Sequence, residues 1–303
     1  MTEGIIIKAL SGFYYVETEL GVLECRARGR FRLDGTSPLV GDRVMCSPEA
    51  NGKGRIDSVR ERRNRFIRPA VANVDTLVFV AANTNPVTDP FLADRISVIA
   101  AEADCEFVLC INKTDIDPGD ALYTAFTKAG FRVLRTSAET GEGIDELRRA
   151  LKGQVCAFTG NSGVGKSSIL NALVPGINIE TGEVSERLGR GKHTTRHVEL
   201  YDLGEGTFIA DTPGFASLDV EMICEISKEG LQHDFIDFAP YIGKCRFNDC
   251  AHLKEPGCAV TGSRGGGDSP QPVQLISAAV RNSRAAQVLG KLNSGYIKRP
   301  SAA

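Results

Sequence analysis

The octapeptide Gly160-Asn161-Ser162-Gly163-Val164-Gly165-Lys166-Ser167 constrains this chain more than any other stretch. It reads G-x-x-x-x-G-K-[ST], a loop whose backbone amides cradle a phosphate chain. Gly160, Gly163 and Gly165 let the main chain wrap closely. Lys166 can neutralise the outer phosphates, and the Ser167 hydroxyl, followed by Ser168, can ligate Mg²⁺. Gln154 to Thr159 predicts a buried strand before the loop. Lys166 to Leu173 predicts a helix after it, its N-terminus facing the anion. A Gly-rich turn that matched by accident would lack this strand–loop–helix context.

A chain of 303 residues is long enough for two or three domains with their own cores. With a net charge of −2, no global polyanion-binding character follows. The charge is uneven, however: residues 1–66 hold 12 Lys/Arg against 9 Asp/Glu. Nine cysteines is an odd count, and nothing resembles a secreted disulfide framework. Cys105, Cys110 and Cys156 fall in apolar runs and read as buried thiols. Met1 to Phe13 has no basic segment followed by a long apolar one, and no apolar run approaches a membrane span. The expectation is a cytoplasmic protein with no membrane partner.

Residues 1–66 read as all-β. Ile5–Ile7, Tyr14–Glu17, Val22–Arg26 and Arg43–Cys46 are strand candidates punctuated by Gly12, Gly21, Gly35 and Gly41. Short strands in so few residues predict a small barrel, with the oligonucleotide-binding fold as one option. Arg26, Arg28, Arg30 and Arg32 alternate and would share a face of a strand. A second cluster runs through Arg55, Arg60, Arg62, Arg63, Arg65 and Arg68. With Phe13, Tyr14, Tyr15 and Phe31 these suit nucleic acid, or else a plain solvated basic face.

From Val71 strands alternate with helices. Asp75–Ala81, Glu106–Ile111 and Arg132–Thr136 read as strands. Phe91–Glu102, Ala121–Ala129 and Ile144–Leu151 read as helices. Two further strands, His197–Asp202 and Thr207–Asp211, follow the phosphate loop. The alternation predicts a parallel sheet covered on both faces.

Asn112-Lys113-Thr114-Asp115 follows one of these strands, where an open α/β sheet binds ligand. N-K-x-D reads guanine. The base offers N1–H and N2–H₂ as adjacent donors, and the Asp115 carboxylate can accept both; adenine has no such pair. Asn112 can bridge loops and reach N7, and the Lys113 stem can lie across the base. Thr136-Ser137-Ala138 follows another strand and matches the backbone segment that faces guanine O6. In Asp211-Thr212-Pro213-Gly214, Asp211 can hold Mg²⁺ through water and the Gly214 amide can meet the γ-phosphate. Gly189 to Thr195 is a basic loop in which Thr194 or Thr195 could complete the Mg²⁺ shell. In a Ras-like chain the phosphate loop comes first and N-K-x-D late. Here the order is reversed, which a circular permutation reconciles with one spatial sheet.

Cys245, Cys250, His252 and Cys258 form C-x₄-C-x-H-x₅-C. Three thiolates and one imidazole make a closed tetrahedral Zn²⁺ site with no place for substrate, hence a structural ion.

Taken in order, the basic barrel, NKTD, TSA, GNSGVGKSS, GRGKHTTR, DTPGF and CRFNDCAHLKEPGCAV resemble the ribosome small-subunit-dependent GTPase A family. The resemblance covers residues 1 to about 260. It implies a multidomain architecture: an all-β oligonucleotide-binding-type barrel at 1–67, an α/β circularly permuted P-loop GTPase domain at 68–218 and a small, mainly helical zinc-binding domain at 219–303. It further implies a monomeric, Mg²⁺-dependent GTP hydrolase with one structural Zn²⁺. The small ribosomal subunit and its rRNA would be its partners, late in subunit maturation, with GTP and GDP as ligands. The chain departs from the family after Val260: Gly262 to Asp268 is Gly-rich, a helix is expected only from about Gln274 to Leu292, and residues 261–303 read as a flexible basic tail. Phe215 and Ala216 stand where Ras-type enzymes carry a water-orienting Gln. Intrinsic hydrolysis should therefore be slow, with His193 as the available alternative or merely an exposed loop residue. Competing readings are an ATPase or kinase on the same loop, and a permuted GTPase acting as an RNA-binding GTP sensor with little turnover.

Overall fold

The computed structural model describes residues 1–29, 31, 37–67, 69–174, 176, 179, 198–211, 231–250, 252 and 256–262. Strands β1 (Thr2–Leu10), β2 (Phe13–Thr18), β3 (Gly21–Ala27), β4 (Arg43–Pro48) and β5 (Lys53–Val59) close into a barrel in the order β1-β2-β3-β5-β4, with β4 returning to β1. Only β3 and β5 pair in parallel. This is the closed five-stranded arrangement of oligonucleotide-binding folds. Ile6, Val16, Cys25, Val44, Cys46 and Ile56 fill its interior and are fully buried. The alternation of the strands sends their neighbours outward.

Sequence patterning missed β5, whose KGRIDSV run holds only two strong apolar residues. The expected row of arginines is also corrected. β3 ends at Ala27, so Arg28 lies beyond it and pairs with Asp57 at 2.6 Å. Arg30 and Arg32 lie outside the described residues.

A short pair, β6 (Arg65–Phe66) and β7 (Val71–Ala72), leads from the barrel to an α/β layer. There β8 (Thr76–Ala82), α1 (Pro90–Glu102), β9 (Glu106–Asn112), α2 (Asp120–Lys128), β10 (Arg132–Arg135), α3 (Ile144–Ala150), β11 (Val155–Thr159) and α4 (Lys166–Leu173) alternate. β12 (Glu199–Gly204) and β13 (Thr207–Asp211) complete the sheet, ordered β10-β9-β8-β11-β13-β12. All pairs are parallel except β12–β13. The all-parallel expectation is therefore corrected at β12, because the tight turn at Glu205 and Gly206 returns the chain as a hairpin.

The central strands β8, β9 and β11 are apolar nearly throughout because both faces are covered. Leu77 and Phe79 of β8 face a cluster with Ile96 and Ile99 of α1 and Leu122 and Phe126 of α2. Val78 and Val80 face the opposite cluster with Leu147 of α3 and Ile169 and Leu173 of α4. α1 starts where expected because the Asp89 side chain accepts from the Phe91 amide at 3.0 Å and Pro90 follows it. Burial pushes the thiols of half-buried Cys105 and fully buried Cys110 up to about 12, as befits inert groups.

The described C-terminal residues hold two one-turn helices, α5 (Leu231–Asp234) and α6 (Ala259–Gly262), around a small core of Phe238, Cys258 and Val260. Among the described residues no helix is long and apolar enough to cross a membrane. The expected helix at Gln274–Leu292 lies outside them.

Candidate functional site

β11 delivers the chain to the phosphate loop at the carboxyl edge of the sheet, between β8 and β13. Gly160 takes φ 142° and Gly165 φ 95°. A Cβ at Gly160 would strike the Val80 carbonyl, and one at Gly165 would strike the Asn112 amide group. These glycines are thus required by close approach as well as by backbone conformation. α4 then starts with no side chain capping it at Gly165, leaving the first-turn amides to an anion. The Lys166 ammonium folds back over the loop, donating to the carbonyls of Gly160 (2.6 Å) and Asn161 (3.1 Å). Val164 is buried beneath the loop, while Ser162 is exposed and Ser167 and Ser168 are half-buried on the first turn of α4.

Asn112, at the end of β9, ties three loops together. Its Nδ2 donates to the Val164 carbonyl at 2.9 Å. Its Oδ1 accepts from the Ala138 amide at 3.2 Å and from the Thr136 hydroxyl at 3.3 Å. The side chain is almost wholly buried, so these bonds form away from water and fix the loops relative to one another. The Thr114 amide and hydroxyl donate to the Thr136 carbonyl at 3.2 and 3.0 Å. Asp115 is exposed, with one carboxylate oxygen oriented by the buried Ser137 hydroxyl at 2.6 Å. A carboxylate has about four acceptor sites, so Asp115 retains capacity for two adjacent donors. The two motifs read separately from sequence therefore form one slot, continuous with the phosphate loop.

One wall of this slot escaped the sequence reading. Lys113 donates to the Asn85 carbonyl at 2.6 Å, and the neighbouring Pro86 ring packs beside Gly163. Asn83 bonds to Asp117, which holds that carboxyl below its ordinary range after the larger effect of the Gly119 amide. The available signal was the Asn-Pro turn after an apolar strand.

Asp211 closes β13, paired with Glu199 of β12 and one residue past the Ala157–Ala210 pair beside the phosphate-loop strand. This places its main chain next to the phosphate-loop strand. Thr194, Thr195, His193 and Gly214 lie outside the described residues.

Cys245, Cys250, His252 and Cys258 converge, their ligand atoms all within 4.8 Å of one another. His252 Nδ1 lies 3.5 Å from Cys245 Sγ and 3.4 Å from Cys258 Sγ, and the two sulfurs are 4.0 Å apart. Tetrahedral zinc with such ligands spaces them by about 3.5–3.8 Å, so the cluster fits the ion. Gln232, missed from sequence because it lies 20 residues upstream, places Oε1 3.1 Å from His252 Nε2. An amide oxygen only accepts, so Nε2 carries the proton and Nδ1 turns its lone pair toward the thiols. Phe238 supports the ring edge-on at 5.7 Å.

The arginine cluster divides into residues held by acids and residues that stand exposed. Arg62 is a half-buried clamp on a buried acid: its Nε and Nη2 each reach the Asp42 carboxylate at 2.7 Å. Arg63 bonds to the Val74 carbonyl and to Asp75 at 2.6 and 2.8 Å. Arg63 thus ties the exit of the barrel to the start of β8, and Arg62 ties it to the turn before β4. Arg26, Arg55 and Arg65 are exposed, Arg26 lying over the Phe13 ring at 4.8 Å and in register with Arg55.

Compared with known proteins, residues 3–56 match the family described as RsgA N-terminal domain and residues 59–221 match that described as RsgA GTPase. The "small ribosomal subunit biogenesis GTPase RsgA" of Moorella thermoacetica is 47% identical over 85% of this chain and 89% of its own. Its counterpart in Caldanaerobacter subterraneus is 44% identical over 86% and 88%. Among solved structures, YjeQ from Thermotoga maritima superposes with a TM-score of 0.79 at 34% identity, over 97% of this chain and 99% of its own. YloQ, described as a circularly permuted GTPase, gives 0.77 at 32% identity, over 100% and 98%. With the phosphate loop, the N-K-x-D slot and the strand order all in agreement, this chain belongs to the RsgA GTPase family.

Proposed function

We propose that this protein hydrolyses GTP to GDP and phosphate when bound to the small ribosomal subunit, during that subunit's biogenesis in the cytoplasm, and that it does so as a monomer. The observation that carries the reading is the Asn112 bridge, which joins a guanine reader to a phosphate loop in one rigid slot. Asp115 accepts the two guanine donors, the Ala138 amide faces O6 and the Lys113 stem covers the base. The amides from Gly160 to Ser168 wrap the phosphates. Lys166 exchanges its two carbonyl partners for phosphate oxygens and neutralises charge as the bond to the outer phosphate breaks. Ser167, Asp211 and one of Thr194 and Thr195 would hold Mg²⁺, which supplies charge neutralisation at the phosphates. Gly214 meets the outer phosphate. Phe215 and Ala216 cannot orient water, and His193 takes that role in this reading.

The division of labour follows residues 1–67, 68–218 and 219–303. The barrel's outer face, with Phe13, Arg26 and Arg55, contacts rRNA. Zinc at Cys245, Cys250, His252 and Cys258 holds the last domain and performs no chemistry. Binding of purified small subunits across a salt series, with GDP or a non-hydrolysable GTP analogue, tests the proposal. The analogue form binds more tightly, and Arg26→Ala and Arg55→Ala each lower the log–log salt slope by roughly 0.7–0.9 per lost phosphate contact. Equal affinity for both forms, or unchanged slopes, would contradict it.

A further inference from the structure

β1 does not stop at the barrel. The pairing with β2 shifts register between Ile6 and Lys8, and Lys8 pairs with Glu199 on the free side of β12. Barrel and α/β sheet are consequently one 11-stranded sheet. The joint is narrow, with the single register pair Lys8–Glu199, and it is closed by an ion pair in which Lys8 Nζ lies 2.9 and 3.1 Å from the two Glu199 oxygens.

The register of this pair matters. Glu199 is paired on its other side with Asp211. Lys8 is paired on its other side with Tyr15, Tyr15 with Glu24, and Glu24 with Lys53. One row thus crosses six strands, from the exposed Lys53 on the barrel to the residue at the end of β13. Register partners of this kind lie on one face of the sheet. Two of the links are side-chain bonds: Tyr15 donates to Glu24 at 3.3 Å, and Lys8 to Glu199.

We infer that the Lys8–Glu199 pair is a positioning latch through which the barrel's outer face and the Asp211 end of β13 bias one another. The consequence for catalysis rests on the function proposed above, because it takes Asp211 to be part of the nucleotide site. The physical link itself does not. Nucleotide-dependent adjustment at Asp211 displaces Glu199, its antiparallel partner. Glu199 transmits this to Lys8, the first register-paired residue of β1 beyond the shift. Both side chains are about one-third exposed. A pair so exposed is weak, so the coupling is graded, worth about a two- to five-fold effect.

Amide hydrogen exchange tests the latch without the ribosome. In the wild-type chain, exchanging GDP for a non-hydrolysable GTP analogue changes exchange rates in residues 6–10 and 13–17 by about two- to five-fold. In Lys8→Ala and Glu199→Ala that response is lost, while the analogue's affinity stays within about two-fold. The charge-swapped double variant Lys8→Glu/Glu199→Lys recovers it. An absent response in the wild type, a response that persists in the single variants, or a swap that fails to restore it would overturn the latch. A second arm measures GTP turnover at saturating small subunits: the single variants lose about two- to five-fold of the stimulation, the swap regains it, and turnover without subunits is unchanged. If the wild type shows no stimulation, the proposed function fails while the exchange arm still decides the latch.

Discussion

Replacing Arg62 by alanine separates two roles that the sequence merges. The guanidinium forms a two-pronged pair with Asp42, both contacts at 2.7 Å, and also reaches the Ser37 carbonyl at 2.7 Å. Asp42 is fully buried and accepts in addition from the Leu39 amide at 2.7 Å. Its main chain is tied to β1, since the Ile6 amide donates to its carbonyl at 3.0 Å and the Gly41 amide to the Ile6 carbonyl at 2.8 Å. Arg62→Ala leaves that carboxylate buried with one amide partner and no counter-charge. Removing one member of a buried pair costs about 3–5 kcal/mol, because the other charge stays desolvated. Amide exchange in β1 and β4 should then accelerate by a factor of about 10² or more, at about 1.4 kcal/mol per decade. Asp42→Asn with Arg62→Gln should recover much of the loss, since neither charge is then stranded. The salt dependence of small-subunit binding should be unchanged by Arg62→Ala, provided the assay is run where the barrel remains folded. A loss below about 1 kcal/mol would place Arg62 among surface pairs and refute the clamp. So would a flattened salt slope, which would return the residue to the RNA-contacting set.

Asp115→Asn puts one donor and one acceptor against guanine's two donors; competition by xanthosine nucleotides should improve at the expense of GTP, and unchanged preference would remove Asp115 from base reading. Gln232→Ala should weaken zinc binding by about 10- to 100-fold in a chelator competition, by freeing the His252 ring, without altering GTP turnover in the absence of subunits; equal zinc affinity would show that the contact does not orient the ligand. Burial, and then the neighbouring Asp237 charge, push Asp94 on α1 up to about 8. The folded state therefore favours the protonated acid, and the stability this group contributes is complete below the ordinary carboxylate range and lost as pH rises toward about 8. Urea midpoints should fall across that window and Asp94→Asn should flatten the fall; a parallel pH profile in the variant would contradict the assignment.

The parts of the site that were legible in the sequence are those whose chemistry is local. The phosphate loop, N-K-x-D and C-x₄-C-x-H-x₅-C each carry their residue types at fixed short spacing. The helices were legible because apolar periodicity and caps such as Asp89-Pro90 agree. Strand β5 was not, since Gly54, Arg55 and Asp57 interrupt its apolar pattern. The roles of Arg62 and Arg63 were hidden for a different reason. A cluster of arginines has the same composition whether it faces RNA or clamps Asp42 and Asp75, and only tertiary structure brings those acids within reach. Gln232 and the Asn85 wall are likewise contacts between distant segments, which periodicity and motif spacing do not encode.

GTP turnover with and without purified small ribosomal subunits, with large subunits as the control, tests the central claim most directly. Slow turnover alone and strong stimulation by small subunits only is the predicted result. Equal rates in all three conditions would contradict it and leave a guanine-nucleotide sensor with little turnover.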